Sequence, residues 1–414
     1  MEGKLKRIDV ELQVLSPLHI GSHEQALTHF GYAVSGNTLF VISQDRLAEY
    51  LGERGLVDRF VARVEREGNK FRIGDFLKEV GADDATVKRL SRYSIPADNP
   101  KDIRQLKVAI RDPEGITYIP GTAIKGAIRT ACLYAFLKDV KASNPDYFKI
   151  KVIDRLMKKM ADIGKSDKNR ENRKEFFKGV EDLIARGFVF VAPSEQKGVY
   201  GKSGLPNTDI FRCLQVSDAF PVRENIQEKA TNVVVCDTEP GTANALTIKE
   251  EAPLYVEAVE GGAYRFSLTW DEWLAEEFYR QNRSKVERKE ILYFPRGIDD
   301  VLHYCKVFVK DQVEHEEKFF QKCVNGGPYL DFLETVKREK ANFRLGWGSG
   351  LIGASLSLLL PPELMREVRD KFFRKRDRRV DDFPKSRRVA VLEKGKRELL
   401  GFCRLVKLDE GANT

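Results

Sequence analysis

The amino-terminal part of the chain contains a pattern that fixes one element of the fold. Over residues 8–14, IDVELQV, apolar side chains stand at every even position and polar or charged ones at every odd position. Successive side chains of a β-strand point to opposite faces of a sheet, so this alternation predicts a strand with one buried and one solvated face. Such strands are typical of antiparallel sheets. We expect this strand to end at Ser16-Pro17.

Length and composition indicate a folded protein. The chain has 414 residues, 42% of them apolar and 32% charged, enough for one large core or for two to three cores of about 150 residues each. The longest strongly apolar stretch, residues 351–362, is well short of the roughly 20 residues that cross a bilayer. We interpret it as a buried core helix. The first residues lack the apolar region of a signal peptide, so we expect a cytoplasmic protein without a membrane partner.

The remaining pattern predicts a mixture of strands and helices in both halves. In the first half we expect a strand over 38–42, a helix from Ser43, inserted helical material over 52–95, a strand over 116–119 and a helix from Thr122 to Leu137. In the second half we expect strands over 211–216, 246–251, 254–259 and 264–270, with a glycine turn at 261–262, and helices around 271–288, 298–324 and 328–340. This mixture predicts an α+β fold of two domains, residues 1–210 and 211–414, with a second, charged insertion over 141–206.

Cysteine and histidine spacing does not indicate a metal site. The six cysteines lie far apart without a Cys-x-x-Cys pair, so we expect reduced core residues. His19, His23 and His29 are close in sequence, but no cysteine or carboxylate pair stands beside them. We expect no metal and no cofactor.

Basic residues are concentrated in two segments. Residues 149–178 and residues 366–388 each contain 11 Lys or Arg against 5 Asp or Glu. Such bands fit a polyphosphate partner, because neutralising phosphates releases counterions. The alternative is a solvated helix face, since the apolar residues of the first segment fall at helical spacing. For the basic run 374–379 in the second segment we favour RNA over a merely solvated helix.

Two glycine-rich stretches are candidates for phosphate contact. Residues 346–350, GWGSG, precede an apolar stretch, and their alternating glycines allow positive φ and close approach of another backbone. The third glycine comes too early for a dinucleotide fingerprint. Residues 198–204, GVYGKSG, resemble a phosphate loop, but Gln196 replaces the required first glycine. We interpret this second stretch as a loop in which Lys202 either contacts a phosphate or is simply solvated.

A third candidate is the predicted helix that follows Pro120-Gly121. Lys125 and Arg129 are four residues apart and therefore share one helix face near its amino end, where free backbone amides attract anions. Gly126 weakens such a helix by about 1 kcal/mol relative to alanine, which suggests a role in packing or close approach. An ordinary amphipathic helix with two surface cations is the alternative.

Four motifs in this order resemble the RAMP superfamily of CRISPR-associated proteins. They are SPLHIGS at 16–22, IPGTAIKGAIRTA at 119–131, LQVSD at 214–218 and GWGSG at 346–350. Their order, the length and the tail FPKSRR at 383–388 are most similar to the family of the fifth subunit of the type III-A (Csm) effector. The insertions 52–95 and 141–206 carry none of the resemblance. One departure is His23, which stands where the family's first loop usually has a glycine.

The resemblance implies a RAMP fold of two ferredoxin-like (RRM-like) domains with helical insertions. The glycine loop would pack near the first-strand motif and the Lys125 helix. The implied function is that of a non-catalytic RNA-binding subunit, which holds the 3′ part of the CRISPR RNA at the end distal to the 5′ tag and supports guide maturation. Implied partners are the CRISPR RNA, the other Csm subunits, especially the backbone and small subunits, and indirectly the target RNA.

The residues that we expect to contact RNA come from these motifs. They are His19, Gly21, Lys125, Gly126, Arg129, Arg344, Gly346, Trp347, Gly348, Ser349, Gly350, Lys385, Arg387 and Arg388. Trp347, Phe343 and Tyr118 are aromatic candidates for base stacking, with core packing as the alternative.

Two other functions stay open at this level. A RAMP-type endoribonuclease needs a positioned acid–base group or clustered carboxylates. His19 is the one histidine within a motif, and Asp218 has no second carboxylate beside it in its motif. We interpret Asp218 as a buried aspartate with a structural hydrogen bond, and expect no catalytic residue. A structural subunit of the type III-B complex is the other alternative.

Overall fold

The computed structural model describes residues 5–22, 24, 26–163, 209–222, 226–238, 245–281, 283, 295–373 and 383–408. His23, most of the 141–206 insertion with its loop at 198–204, and the basic run 374–379 lie outside these residues. The described residues form both helices and strands, which confirms the α+β prediction.

The strands are β1 (Leu5–Val14), β2 (Tyr32–Ser35), β3 (Thr38–Ile42), β4 (Ser91–Pro96), β5 (Leu106–Lys107), β6 (Leu214–Val216), β7 (Phe220–Pro221), β8 (Gln227–Thr238), β9 (Leu246–Asp271), β10 (Phe343–Arg344), β11 (Ser386–Val391), β12 (Arg397–Leu399) and β13 (Phe402–Lys407). The helices are α1 (Gln44–Glu53), α2 (Val57–Glu67), α3 (Ile73–Glu79), α4 (Asp84–Leu90), α5 (Gly121–Ser143), α6 (Pro145–Phe148), α7 (Asp154–Asp162), α8 (Glu272–Gln281), α9 (Ile298–Gln321), α10 (Gly327–Arg338), α11 (Gly350–Gly353) and α12 (Pro362–Phe372).

A large sheet contains ten of the described strands. Its main path runs β10-β13-β1-β9-β8-β11-β12, and β5, β6 and β7 also pair with β9. β1 lies between β13 and β9, with Leu12 opposite Leu405 on one side and Tyr264 on the other. Val10 and Leu12 are fully buried, so the alternation correctly identified the buried face. A strand from the start of the chain thus shares a sheet with strands from its end. The division at residue 210 and the two ferredoxin-like domains stay predictions.

A small sheet of β2, β3 and β4 carries the first insertion. Helices α2, α3 and α4 confirm the helical prediction for residues 52–95, except that residues from Ser91 onward form β4 and pair with β3. Phe71, Ile73, Phe76 and Leu77 are buried in a separate hydrophobic cluster with residues of α1 and α4. This unit therefore has its own core.

Helix α5 connects the sheet to a second long helix. Ile124 and Ile128 belong to the main core, which also contains Leu12 and Trp270. On the other side α5 contacts α9, where the Tyr134 hydroxyl donates to Asp311 Oδ2 at 2.7 Å. The helix begins at Gly121 rather than after an N-cap at Thr122. The cause is a distant partner, because the Gly121 amide donates to Asp218 Oδ1 at 2.7 Å. Asp218 thus has the structural hydrogen bond that we expected, although its side chain is exposed.

Besides the Thr122 N-cap, four local predictions are wrong in whole or in part. The predicted strand 211–216 begins only at Leu214, because Ile210–Cys213 form a 3₁₀ turn in which Asp209 Oδ1 accepts from the Phe211 amide at 2.9 Å. Residues 246–271 form one long strand, β9, without a hairpin turn at Gly261-Gly262, because β9 pairs with β8 before these glycines and with β1 after them. Residues 116–119 make only two isolated bridges, at Thr117 and Ile119. The apolar stretch 351–362 is not one helix. It breaks after Gly353, where the Ser355 hydroxyl donates to the Leu351 carbonyl at 2.6 Å.

All six cysteines are free and buried, as the sequence predicted. Within the described ranges, no helix combines the length and the apolar character that a membrane crossing requires.

Candidate nucleic-acid interface

His19 is held beneath the glycine loop by the segment that follows β1. Gly401 donates its amide to the Pro17 carbonyl at 3.0 Å, and the Ser16 hydroxyl accepts from the Phe402 amide at 2.9 Å. His19 Nδ1 lies 2.7 Å from the Glu257 carbonyl oxygen. A carbonyl only accepts, so Nδ1 carries the proton in this pair. Burial lowers the pKa of His19, which is only 2% exposed.

The glycine loop lies directly on this segment. Gly346 has φ +92°, and a Cβ there would be 2.8 Å from Leu18 Cδ1 and 2.9 Å from the His19 carbonyl oxygen. The Trp347 amide donates to the same carbonyl at 2.9 Å. Gly346 is therefore required for packing against the first-strand motif, as the resemblance implied. Gly350, with φ +70°, has no neighbour within 4 Å of a Cβ position.

Trp347 is the centre of a group of cations and rings that we call the Trp347 cluster, formed by His19, Lys107, Trp347 and Arg388. Lys107 Nζ lies 5.5 Å and Arg388 Cζ 4.5 Å from the Trp347 ring centroid. The His19 ring meets Trp347 edge-on, with centroids 5.8 Å apart. Neither Lys107 nor Arg388 forms an ion pair with the part of the chain that the structure describes. The cluster therefore offers a half-buried ring and two cations, a combination that suits a nucleobase and its phosphate.

Lys107 was missed by sequence reasoning. The signal was present, because residues 106–110, LKVAI, alternate around it and place Lys107 opposite the apolar side chains. The two-residue strand β5 fixes the position of Lys107, because it pairs in parallel with β9 at Tyr255 and Val256.

Lys125 and Arg129 face a different part of the chain. Arg129 Nε lies 3.3 Å from Asp209 Oδ2, and its Cζ is 6.0 Å from the Phe211 ring centroid. Burial lowers the pKa of half-buried Lys125, while Asp209 acts in the opposite direction. Both cations thus face Asp209, and Gly126 beside them is exposed with open space around its Cβ position. The structure does not join this helix face to the Trp347 cluster.

Two of the predicted arginines are buried. Arg344 Nε donates to the Leu400 carbonyl at 3.1 Å, and burial lowers the pKa of this guanidinium to about 10. Arg387 Nε donates to Glu316 Oε2 at 2.5 Å. Lys385 Nζ lies 3.4 Å from Asp237 Oδ2. Of this group, only Arg388 is exposed.

The other aromatic candidates, Phe343 and Tyr118, also differ in burial. Phe343 is 1% exposed and belongs to the main core. Tyr118 is half-buried and stacks on Phe220, with centroids 5.8 Å apart. Phe220 is an exposed ring at 50%. Only Trp347 among the three candidates is paired with cations on the glycine-loop side.

A buried polar network supports the cluster from beneath, and sequence reasoning missed it. Glu257 accepts from the Tyr93 hydroxyl at 2.7 Å, from the Ala109 amide at 2.9 Å and from Arg111 Nη2 at 3.2 Å. Arg111 Nη2 also donates to Glu228 Oε2 at 2.9 Å. Tyr93 belongs to the small sheet and Glu257 to the large one. The network therefore joins the two sheets at Glu257, whose backbone carbonyl accepts a hydrogen bond from the His19 ring.

The described residues contain no group of three His, Cys, Asp or Glu side chains arranged to hold a metal ion.

A comparison of the sequence with protein-family models identifies a family over most of the chain. The sequence pattern of the RAMP superfamily matches residues 11–350. The chain belongs to the RAMP superfamily. A search of curated proteins finds no match to this RAMP protein.

Two solved structures are similar to it. One is a chain of a cryo-EM structure of the Csm–crRNA–target RNA ternary complex of a type III-A CRISPR-Cas system, with 23% identity and a TM-score of 0.66, covering 97% of this chain and 100% of that one. The other is the crystal structure of T. onnurineus Csm5, with 25% identity and a TM-score of 0.55, covering 84% of this chain and 93% of that one. This RAMP protein therefore shares a fold with both over most of its length.

Proposed function

We propose that this RAMP protein is a non-catalytic RNA-binding subunit of a type III-A (Csm) effector complex. It holds the 3′ part of the CRISPR RNA at the end distal to the 5′ tag and supports guide maturation in defence against foreign nucleic acid. Its partners are the CRISPR RNA, the other Csm subunits and, through the guide, the target RNA.

The observation that carries this proposal is the Trp347 cluster. Lys107 and Arg388 lie within 5.5 Å of the Trp347 ring centroid and make no ion pair among the residues described. A cation without a protein carboxylate partner is available to a phosphate, and an aromatic face stacks on any base. Such contacts tolerate any sequence, as a guide with a variable spacer requires.

The similar structures support the choice of complex. The chain aligns over 97% of its length with a chain from a Csm–crRNA–target RNA complex, and over 84% with Csm5. A subunit in the same position would meet both a guide RNA and neighbouring protein chains.

The state of His19 supports a binding role without catalysis. An acid–base group in RNA cleavage must reach the scissile phosphate or its hydroxyl. His19 is buried, donates through Nδ1 to the Glu257 carbonyl and has a lowered pKa. We propose that it positions Trp347 and takes no part in proton transfer to RNA.

The test is purification of the tagged protein from its host, with sequencing of bound RNA and mass spectrometry of co-purifying chains. We expect spacer-derived guides and Csm-type subunits. The variants Trp347→Ala and Lys107→Glu should retain the protein partners but at least fivefold less guide RNA. Lys70→Glu, the same charge change at an exposed position on the small-sheet unit, is the matched control and should retain RNA normally.

Two outcomes would contradict the proposal. Purification of the wild-type chain alone and free of RNA would exclude the subunit role. Guide retention that is equal in wild type, Trp347→Ala and Lys107→Glu would exclude the Trp347 cluster from the interface.

A further inference from the structure

A groove of about 1120 Å³ lies between the small-sheet unit and the large sheet. One wall is β4, the edge strand of the small sheet, and the other is formed by β7 and the first residues of β8. The turn over 111–116 also lines it. Its volume exceeds the roughly 300–1,000 Å³ of a small-molecule pocket, so a larger occupant fits it better. Most of β4 belongs to the 52–95 insertion, which carries no family motif, so the resemblance does not imply this groove.

Apolar side chains are exposed in the groove. Ile116 is 49% and Phe220 50% exposed. Three further apolar residues line it, Pro96, Pro221 and Ile226. The Phe220 ring is held in place, because β7 pairs with β9 and the ring stacks on Tyr118 with centroids 5.8 Å apart. Large apolar side chains that stay exposed within one concave surface are typical of a contact with another protein.

The ionisable side chains of the groove carry a net negative charge. They are two cations and four carboxylates, Arg111, Lys229, Asp112, Glu228, Glu260 and Glu393. Both cations are already engaged, since Arg111 pairs with Glu228 and Lys229 pairs with Glu393. The charge of the groove is opposite in sign to the +8 of the whole chain. The groove therefore repels the phosphates of RNA and attracts cationic groups.

Two of the carboxylates have no cation of their own. Asp112 and Glu260 form no ion pair with the residues that the structure describes. Asp112 Oδ1 accepts from the Ile116 amide at 2.8 Å, and Glu260 Oε1 accepts from the Thr231 hydroxyl at 2.8 Å. These hydrogen bonds orient the two carboxylates without neutralising them. Each carboxylate can still accept a charge-assisted hydrogen bond from a lysine or arginine.

We propose that this groove docks a segment of another protein chain in which lysines or arginines alternate with apolar residues. The apolar side chains of the segment cover Ile116 and Phe220, and its cations pair with Asp112 and Glu260. Complementary charge selects such a segment over RNA and over an acidic chain. That the segment belongs to a neighbouring Csm subunit rests on the proposed function, whereas the docking groove itself does not.

Site-specific crosslinking identifies the occupant in the assembled complex. The photoreactive residue p-benzoylphenylalanine replaces Phe220, the tagged protein is irradiated after purification from its host, and mass spectrometry locates the crosslinked peptide. We expect one segment of a co-purifying chain, with a lysine or arginine next to apolar residues. Phe30 is the matched control position, because it is 41% exposed and packs on the Phe71 ring with centroids 4.9 Å apart. The same replacement there should not crosslink this segment.

The crosslinked segment, made as a fluorescent peptide, then measures affinity for the full chain. The double variant Asp112→Asn with Glu260→Gln should bind the peptide at least fivefold more weakly. Its amide oxygens can still accept the two hydrogen bonds, so the fold is expected to persist. Ile116→Ser, a change at an exposed position, should also weaken binding at least fivefold. Glu65→Gln, at an exposed glutamate of α2, should leave the affinity unchanged.

The outcomes separate this inference from the proposed function. A crosslink from Phe220 to RNA, to an acidic segment, to a second copy of this chain or to nothing would overturn the groove, as would equal peptide affinity in wild type and both groove variants. If guides and Csm-type subunits co-purify and Phe220 crosslinks none of these chains, this inference fails alone. If Phe220 crosslinks a basic and apolar segment of a protein outside any Csm complex, the proposed function fails alone.

Discussion

At the residue scale, His19 shows how a position in a sequence motif acquires its chemistry from distant residues. Its Nδ1 donates to Glu257, its carbonyl accepts from Trp347, and burial lowers its pKa below the ordinary 6.5. The resemblance identified His19 as an RNA contact, but the sequence contained nothing to show that Glu257, more than two hundred residues away, would engage the ring. For Gly346, the sequence predicted that another part of the backbone would come close. It did not show that the approaching group is the His19 carbonyl.

The lowered pKa predicts that stability falls with acidification. Below about pH 6.5 the unfolded chain protonates this ring while the folded protein does not, so stability is lost as pH falls toward the folded-state pKa. The loss is at most about 1.4 kcal/mol per pH unit in that window.

Urea unfolding measured at pH 7.5 and at pH 5.5 should show a smaller loss of unfolding free energy for His19→Gln than for wild type. His303→Gln, at an exposed histidine of α9, should keep the wild-type loss. Equal losses in all three proteins would mean that His19 titrates normally in the fold.

At the element scale, predictions succeeded where neighbours along the chain decide the structure. The alternation of 8–14 and the extended stretch TLFVI at 38–42 are local signals, and β1 and β3 follow them. The predictions failed where a partner strand decides. Gly261-Gly262 is a turn signal, yet β9 continues through it because β8 and β1 pair with its two halves. Residues 351–362 are apolar enough for a helix, but Gly353, Ser355 and Pro361 interrupt it.

The two glycines of α5 provide a matched pair of substitutions. A Cβ at Gly126 would meet no atom within 4 Å, so Gly126→Ala should stabilise the protein by about 0.5–1 kcal/mol through helix propensity. A Cβ at Gly121 would lie 2.8 Å from the Ser217 carbonyl oxygen and closer still to that of Val216. Gly121→Ala should therefore destabilise it by about 1–3 kcal/mol. Shifts of the urea midpoints in opposite directions are expected, and shifts of the same sign would contradict this account of α5. If RNA approaches at Gly126, that variant should bind guide RNA more weakly despite its greater stability.

At the scale of the whole molecule, the feature that sequence patterns could not supply is the joining of the two ends of the chain. Local periodicity predicts that residues 8–14 form a strand but not that β13 is its neighbour. The Trp347 cluster depends on the same long-range pairing, since it unites residues near positions 19, 107, 347 and 388. The resemblance placed the glycine loop on the first-strand motif correctly, because a family fold carries long-range information that a single sequence does not.

The position of β1 and β13 inside the large sheet predicts a sharp limit for truncation. A stop codon after Leu408 removes none of the described strands or helices and should leave a folded protein with unchanged unfolding midpoint. A stop codon after Gly401 removes β13, in which Phe402 and Cys403 are fully buried, and leaves β1 and β10 without their shared partner. Each large buried side chain contributes about 1.5–3 kcal/mol, a substantial part of the 5–15 kcal/mol that separates folded from unfolded states. This shorter chain should be insoluble.

Since insolubility alone is a weak readout, Phe402→Ala in the full chain gives the graded test, with an expected loss of about 3–5 kcal/mol in the free energy of unfolding by urea. A loss below about 1 kcal/mol would mean that the ends of the chain contribute little to the sheet.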